Sequence, residues 1–284
     1  MKTKFTLLIL VLIFQAACTS IPLSRLFPPT ETVAPTLTPA PATPTLPSPP
    51  DAPQTPTETP ALDEAGNLRL FQQVTLTGEP YSESGDSPVY TLETNKPVLE
   101  GSDDPRALEF NRLAAEMVDE MVASFKSGFE YLAESPVSAG SFFQVTFTQL
   151  APPGDILSIQ FGVDGYADGA AHPYHWTKTL NYDLESGQVL SLDALFLPGT
   201  DYLILIADYC KAELATRDIG FELGFSGGAD PLPENYLNWN LTYEGLLITF
   251  DEYQVAPYAA GKQQVLVPYD VLGAVIAPDS KIIP

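Results

Sequence analysis

The chain has 284 residues, with 36 acidic and 13 basic side chains and a formal net charge of −23 at pH 7. Such a charge repels nucleic acid and anionic lipid surfaces, and it favours encounter with cationic partners. Nucleic-acid binding is therefore the function class that the composition favours least.

The first 18 residues have the order of a secretory signal. Two lysines precede an apolar run over residues 5–14, and small residues lead up to Cys18. A run of roughly ten apolar residues spans only ~15 Å as a helix, so we predict a cleaved signal peptide over 1–17 and not a permanent anchor. The sequence Ala-Ala-Cys resembles a bacterial lipobox, although Gln15 stands where Leu is usual. We predict lipidation of Cys18, with plain secretion and an incidental Cys as the alternative.

Lipidation of Cys18 would place the protein outside the cytoplasm and anchor it to the bacterial membrane. Each acyl CH₂ buried in the bilayer contributes about 0.8 kcal/mol to membrane binding. Loss of the two lysines of the signal leaves 11 basic against 36 acidic residues, a net charge of −25. No other stretch of the sequence is long and apolar enough to predict a membrane span.

Residues 18–66 are predicted to be the lipidated Cys and a disordered Pro/Thr-rich tether. Its middle part, 28–60, holds 12 Pro and 9 Thr among 33 residues. This composition cannot form a core and favours extended polyproline II, at ~3.1 Å per residue. A spacer through the cell wall and a passive, O-glycosylated linker are equally compatible with it.

The 218 residues from 67 to 284 are enough for one large domain or for two fused halves, about 67–200 and 201–284. Their periodicity predicts an α+β fold. β-branched and aromatic runs on both sides of turn-like segments predict two hairpins, and three further strands follow. The predicted strands are 141–150 with 155–166, 175–184 with 189–192, and then 237–243, 246–250 and 264–267.

Two helices are predicted. The stronger one covers 105–126, where apolar residues recur at helical spacing and Asp103 or Asp104 can cap the first turn beside a proline. The second covers about 201–216 and contains Cys210, a lone Cys of the kind usually found as a small core residue. Adjacent hairpins with helices elsewhere predict an antiparallel sheet with helices packed on one face and without βαβ alternation.

The segment from Gly224 to Gly228 reads GFSGG and matches the G-x-S-x-G pattern of α/β-hydrolases. That pattern needs a strand before the Ser, a helix after it and a His further along the chain. A breaker cluster, DPLP, follows at 230–233, and both histidines of the chain precede Ser226. We interpret the segment as a Gly-rich loop and assign no catalytic residue.

A metal site is the next hypothesis that the sequence raises, because His172 and His175 lie three residues apart. In a strand, residues three apart point to opposite faces, so both could bind one ion only through a bend. The third ligand, Asp164, Asp168 or Asp183, is not specified by any spacing. A turn with local hydrogen bonds is the favoured interpretation.

The segment DGYADG at 164–169 is similar to a calcium loop in its acids at the first and fifth places and its Gly at the sixth. It departs from the pattern at the third place, Tyr166, and at the twelfth, His175, where a bidentate Glu is needed. A weak cation site stays an alternative. We predict no metal and no other cofactor.

Several runs of the sequence together resemble the RsiV-like extracytoplasmic domain. They are YADGAAHP at 166–173, LNYDL at 180–184, Gly187, LSLDALF at 190–196, NLTYEGL at 240–246, Phe250, Tyr253, VAPYAAG at 255–261 and VPY at 267–269. PVLEG at 97–101 with Phe110-Asn111 resembles the entry strand and first helix of that family. The resemblance covers about 86–276.

The resemblance implies an extracytoplasmic recognition domain. This domain type occurs in a lysozyme-sensing anti-sigma factor and as an accessory region of a peptidoglycan deacetylase. The sigma-binding and transmembrane segments of the first and the catalytic domain of the second have no counterpart in this sequence. We therefore expect neither signalling nor deacetylation to carry over.

The resulting prediction is a non-catalytic recognition module on a membrane-anchored lipoprotein. Its ligand would be a cell-wall component or a cationic protein such as a lysozyme-type hydrolase, and the alternative is a cell-wall-acting hydrolase. Aromatic and polar residues at predicted turns are the candidate binding residues: Tyr166, Asp168, His172, Tyr174, Trp176, Tyr253 and Tyr258. The alternative interpretation places these rings in the core.

Overall fold

The computed structural model describes residues 68–129, 140–150, 154–278 and 280. The predicted signal peptide, Cys18 and the tether lie outside these ranges, so what the sequence says of them stays a prediction. The described residues have the predicted α+β fold, with mostly antiparallel strands and few helices.

The first half of the described chain forms a six-stranded sheet and one long helix. The elements are β1 Thr75–Asp86, β2 Val89–Glu100, α1 Pro105–Ser127, β3 Ser141–Gln149, β4 Ile156–Tyr166, β5 Tyr174–Asp183 and β6 Gln188–Val189. The strands lie side by side in chain order. The predicted hairpins β3–β4 and β5–β6 are confirmed, although β6 is only two residues long.

Two features of this sheet differ from the prediction. β1 and β2 form a long hairpin that the periodicity does not indicate, because most side chains of β1 are exposed and few of them are apolar. β2 and β3 are parallel and are connected through α1, whereas the other neighbouring strands of the sheet are antiparallel. The described sheet is therefore antiparallel as predicted except at this one crossover, and βαβ units do not alternate along it.

Helix α1 begins where the sequence predicts it. The side chain of Asp104 accepts a hydrogen bond from the backbone N–H of Arg106 at 2.9 Å, which caps the first turn. Its buried residues recur three or four places apart and form one apolar stripe against the sheet: Ala107, Phe110, Ala114, Val118 and Met121. The hydroxyl of Tyr182 on β5 donates to the Arg106 carbonyl at 2.7 Å and fastens the start of the helix.

The second half forms a three-stranded antiparallel sheet with its own hydrophobic core. The elements are α2 Tyr202–Ala215, β7 Trp239–Leu241, β8 Gly245–Phe250, β9 Gln263–Pro268 and the short α3 Tyr269–Leu272. The predicted second helix and the three later strands are confirmed within a few residues. Cys210 on α2 is buried in this core, and burial raises the pKa of its thiol to about 12.

The two sheets meet through a buried network of polar side chains, and Ile156 of β4 packs beside it in the core of the second half. The Ser158 hydroxyl on β4 donates to Asn181 Oδ1 at 2.5 Å and accepts from Asn240 Nδ2 at 3.0 Å and from the Leu241 amide at 2.9 Å. Gln160 Nε2 donates to Asn240 Oδ1 at 3.0 Å. Buried groups paired in this way hold one relative position, because a shift would leave several of them unsatisfied.

Side chains of β4 alternate between the two faces of the first sheet, one of which packs under α1 and the other against the second sheet. Ile159, Phe161 and Val163 belong to the core under α1, whereas Ser158 and Gln160 point to the opposite face and contact the second sheet. The second sheet covers only the β4–β5 part of that face. Within the described ranges, no helix is both long and apolar enough to cross a membrane.

Candidate functional site

The structure brings three of the predicted binding residues into one exposed cluster. His172 comes from the β4–β5 connection, and Tyr253 and Tyr258 follow β8 in the second half. The ring centroids of His172 and Tyr258 are 4.0 Å apart, those of Tyr253 and Tyr258 are 5.8 Å apart, and those of His172 and Tyr253 are 6.5 Å apart. We call His172, Tyr253 and Tyr258 the ring cluster.

Hydrogen bonds hold the His172 ring in place. Its Nδ1 lies 2.7 Å from the Pro173 carbonyl oxygen, which can only accept, so the proton is on Nδ1. Its Nε2 lies 3.3 Å from the Tyr253 hydroxyl oxygen, within hydrogen-bond distance. The Tyr258 hydroxyl donates to the same Pro173 carbonyl at 3.0 Å. Desolvation, together with the neighbouring Glu252 carboxylate, raises the pKa of Tyr258.

Tyr253 has a backbone conformation that side chains rarely adopt. Its φ is +66°, and it is the one non-glycine residue with positive φ in the described part of the chain. Such a conformation costs on the order of 1–3 kcal/mol and persists only where the surroundings hold it. Tyr253 is 55% exposed, so this strained residue has its ring in solvent and not in the core.

Gln254 holds the turn that carries Tyr253. Its Nε2 donates to the carbonyl of Gly228 at 3.1 Å and to that of Asn235 at 2.9 Å, and its Oε1 accepts from the Asp251 amide at 3.3 Å. The backbones approach so closely that a Cβ on Gly228 would lie 1.8 Å from the Gln254 carbonyl oxygen. The Gly-rich loop therefore supports the ring cluster from behind.

A small cleft of about 150 Å³ adjoins the ring cluster and contains His175. His175 Nδ1 lies 2.8 Å from Glu252 Oε1, and its Nε2 lies 3.5 Å from Asp164 Oδ1. The His175 ring is 6.3 Å from that of Tyr258, centroid to centroid. The carboxylate of Asp164 is 43% exposed and Glu252 is 10% exposed, so the cleft offers a solvent-facing negative group beside aromatic rings.

The other predicted binding residues lie elsewhere. Tyr174 and Trp176 alternate with His175 along β5 and pack against the core under α1, which is the alternative interpretation raised for these rings. Asp168 lies in the β4–β5 connection, where its amide donates to Ser141 Oγ at 3.0 Å. Tyr166 stacks on Phe142, with ring centroids 6.3 Å apart.

The GFSGG segment and the two histidines, which suggested catalysis or metal binding, do not assemble into a reactive site. Ser226 is exposed in a short 3-10 helix, Ser226–Ala229, that follows another 3-10 turn and not a strand. His172 bonds to Pro173 and Tyr253, and His175 bonds to Glu252, so neither histidine is hydrogen-bonded to Ser226. Among the described residues, no three His, Cys, Asp or Glu side chains converge as a metal site would require.

Sequence reasoning did not single out Glu252, Gln254 or Lys262, although all three contribute to this region. Glu252 lies next to Tyr253, so the neighbourhood of a predicted site residue was the available signal. The side-chain amide of Gln254 donates to a backbone carbonyl of a loop 26 positions earlier. No local pattern indicates such a contact.

Residues 193–270 match the family described as "Protein of unknown function (DUF3298)". The match contains Tyr253 and Tyr258 and begins after both histidines. A solved structure of a DUF3298 family member, BF2082 from Bacteroides fragilis, has a TM-score of 0.57 and 18% identity, over 72% of this chain and 94% of that one. The shared fold therefore extends well beyond the matched segment.

Two curated relatives are similar over part of the chain. Esterase Rv3036c of Mycobacterium tuberculosis is 35% identical over 100 residues, 35% of this chain and 44% of that protein. Peptidoglycan-N-acetylmuramic acid deacetylase PdaC of Bacillus subtilis is 30% identical over 106 residues, 37% of this chain and 23% of that protein. The chain thus spans less than half of either relative. The predicted resemblance is confirmed as a DUF3298 match and a similarity to PdaC, and the narrower RsiV-like assignment stays a prediction.

Proposed function

We propose that this protein is an extracytoplasmic recognition module and that the ring cluster with its neighbouring carboxylates is the binding surface. The observation that carries the proposal is the strained, exposed Tyr253 held beside His172 and Tyr258. Strained residues concentrate at functional sites, and a fold that needed only a turn here could use Gly or Asn.

The chemistry of this surface suits a cationic ligand. An ammonium or guanidinium group is attracted to the face of a Tyr ring by about 0.5–1 kcal/mol at exposed sites, and more where water is excluded. Asp164 and Glu252 supply two negative charges next to those rings, against the one positive charge of Lys262 in the lining of the same cleft. The net charge of −25 expected for the mature chain would raise the association rate with a positive partner at low salt. We therefore favour a cationic protein such as a lysozyme-type hydrolase over an uncharged cell-wall component at this surface.

The placement outside the cytoplasm is part of the same proposal. It is supported by the signal-like N-terminus, by the lipobox-like residues before Cys18 and by similarity to PdaC, whose name describes an enzyme of peptidoglycan. An RsiV-like domain on a Pro/Thr-rich tether would meet secreted cell-wall hydrolases before they reach the membrane.

The experiment is a titration of the full chain, purified in detergent, with lysozyme at low and at physiological ionic strength. Tyr253→Ala removes an exposed ring of the cluster, and Tyr243→Ala, 65% exposed in the β7–β8 connection, is its control. Asp164→Asn is matched by Asp119→Asn on α1. The proposal predicts about tenfold weaker binding for the first variant of each pair and little change for its control. Absence of binding at both salt concentrations would refute the cationic ligand.

The second candidate function is a hydrolase, favoured by the similarity to a protein named an esterase and by the GFSGG segment. The test is turnover of p-nitrophenyl acetate and of peptidoglycan by the full chain and by Ser226→Ala. Loss of turnover in the variant would support the hydrolase. No turnover by either chain would refute the hydrolase, and the recognition module would be the remaining candidate.

A further inference from the structure

The first sheet has an open face, opposite α1. No described element covers this face over β1 to β3. Strand register places a row of polar side chains across it, in the order Ser82, Glu93, Gln144, Asp164 and His175. Neighbouring strands are about 4.8 Å apart, so the row is about 19 Å long. It begins at the outer hairpin and ends at the cleft beside the ring cluster.

A shallow groove of about 420 Å³ follows the first part of this row. Its lining includes the side chains of Glu93, Asn95, Gln144 and Thr146, which alternation along β2 and β3 places on the open face. Gln144 Nε2 lies 3.4 Å from Glu93 Oε2, a weak contact that a ligand could replace. Within the described ranges Asn95 Oδ1 is enclosed and accepts no hydrogen bond.

An aromatic pair borders the polar row. Phe142 is paired with Tyr166 across β3 and β4, one row away from Gln144 and Asp164 on the same face. The two rings are stacked with an interplanar angle of 22°, and Phe142 is 38% exposed although it is apolar. An aromatic platform with one exposed ring, beside amide and carboxylate groups, can contact both the C–H and the O–H groups of a sugar ring.

The charge of the groove narrows the ligand further. No Lys or Arg is among the described residues that line it, so an anionic polymer would lose its hydration without gaining a counter-charge. Glu93 is the one carboxylate in the lining, and the remaining side chains are amides and hydroxyls or are apolar. Such a lining disfavours an anionic ligand, and its amide, hydroxyl and carboxylate groups can bond to the hydroxyl and acetamido groups of a neutral glycan.

We propose that the open face, defined by Glu93, Phe142, Gln144 and Tyr166, is a second binding site for a neutral linear glycan. The four defining residues lie outside the ring cluster and its cleft, so this site does not depend on the ligand of that cluster. The glycan crosses the strands along the part of the polar row from Ser82 to Gln144, and stops short of Asp164 and His175 in that cleft, with one sugar stacked on the Phe142–Tyr166 pair. Its hydroxyl and acetamido groups bond to Gln144 and Glu93.

The test is calorimetric titration of the full chain in detergent with chitotetraose, a neutral N-acetylglucosamine oligomer. The double variant Phe142→Ala, Gln144→Ala is expected to weaken binding at least about tenfold, since it removes both the platform and the central amide. Gln188→Ala, on the exposed β6, is the matched control for the amide and should bind as the unaltered chain does.

The ring cluster offers a further control, because Tyr253→Ala should leave chitotetraose binding unchanged while it weakens lysozyme binding. Urea unfolding of the double variant checks that the sheet is intact. No binding of chitotetraose, equal binding by the double variant, or tighter binding of heparin than of chitotetraose would each overturn the proposal.

Discussion

Replacing Gly228 by alanine should destabilise the protein strongly, because the new Cβ would lie 1.8 Å from the backbone oxygen of Gln254. A backbone atom cannot rotate away, so either the loop or the turn that carries Tyr253 has to move. Overpacking of this kind costs about 1–3 kcal/mol. Displacement would also weaken the two bonds from Gln254 Nε2 to Gly228 and Asn235, at about 1 kcal/mol each. We expect a loss of about 3 kcal/mol.

Gly227→Ala is a matched control one residue away. A Cβ on Gly227 would find its nearest neighbour, Asp230 Oδ2, at an ordinary 3.7 Å. In urea unfolding with an m-value of about 3 kcal/mol/M, Gly228→Ala should lower the midpoint by about 1 M and Gly227→Ala by less than about 0.3 M. Equal midpoints for the two variants would refute the view that close backbone contact accounts for the Gly-rich segment.

Three further predictions concern single residues. Tyr253→Asn should keep or raise the free energy of unfolding, by up to about 1 kcal/mol, because Asn tolerates positive φ better than Tyr, while lysozyme titration shows weaker binding. The Arg106 side chain holds the pKa of Asp104 at about 2. The ionised Asp104 therefore stabilises the folded state fully above the ordinary carboxyl pKa, and this contribution is lost as pH falls toward 2. Asp104→Asn should therefore flatten that acid limb in unfolding measured against pH, and an unchanged limb would contradict this assignment. Cys210 should not react with a thiol reagent at about pH 8 in the native chain and should react once per chain after denaturation, whereas two thiols per denatured chain from membranes would contradict lipidation of Cys18.

Much of the fold could be predicted because its signals are local. The β3 and β4 runs alternate apolar and polar residues on both sides of a segment whose composition, with Pro and Gly, is typical of a turn. Helix α1 combines an Asp cap, a proline and an apolar stripe. β1 lacks such a signal. It is a strand because it is hydrogen-bonded to β2, and most of its side chains are not buried. The parallel pairing of β2 with β3 depends on where α1 packs, which composition does not determine.

The candidate site was predictable only in part. His172 and Tyr253 are hydrogen-bonded although they lie 81 positions apart, and no local pattern links them. Strand alternation does separate Tyr174 and Trp176 from His175, so their position under α1 could have been inferred from the sequence. The polar row of the open face required the register of five strands, and that information comes only from the structure.

The most direct test of the proposed recognition surface is amide hydrogen exchange of the full chain, alone and with saturating lysozyme. The account predicts slower exchange at residues 172–176 and 251–258, which carry the ring cluster and the adjoining cleft, and unchanged exchange on the outer face of α1. Binding that slows exchange only elsewhere, or leaves both segments unchanged, would contradict the assignment of this surface.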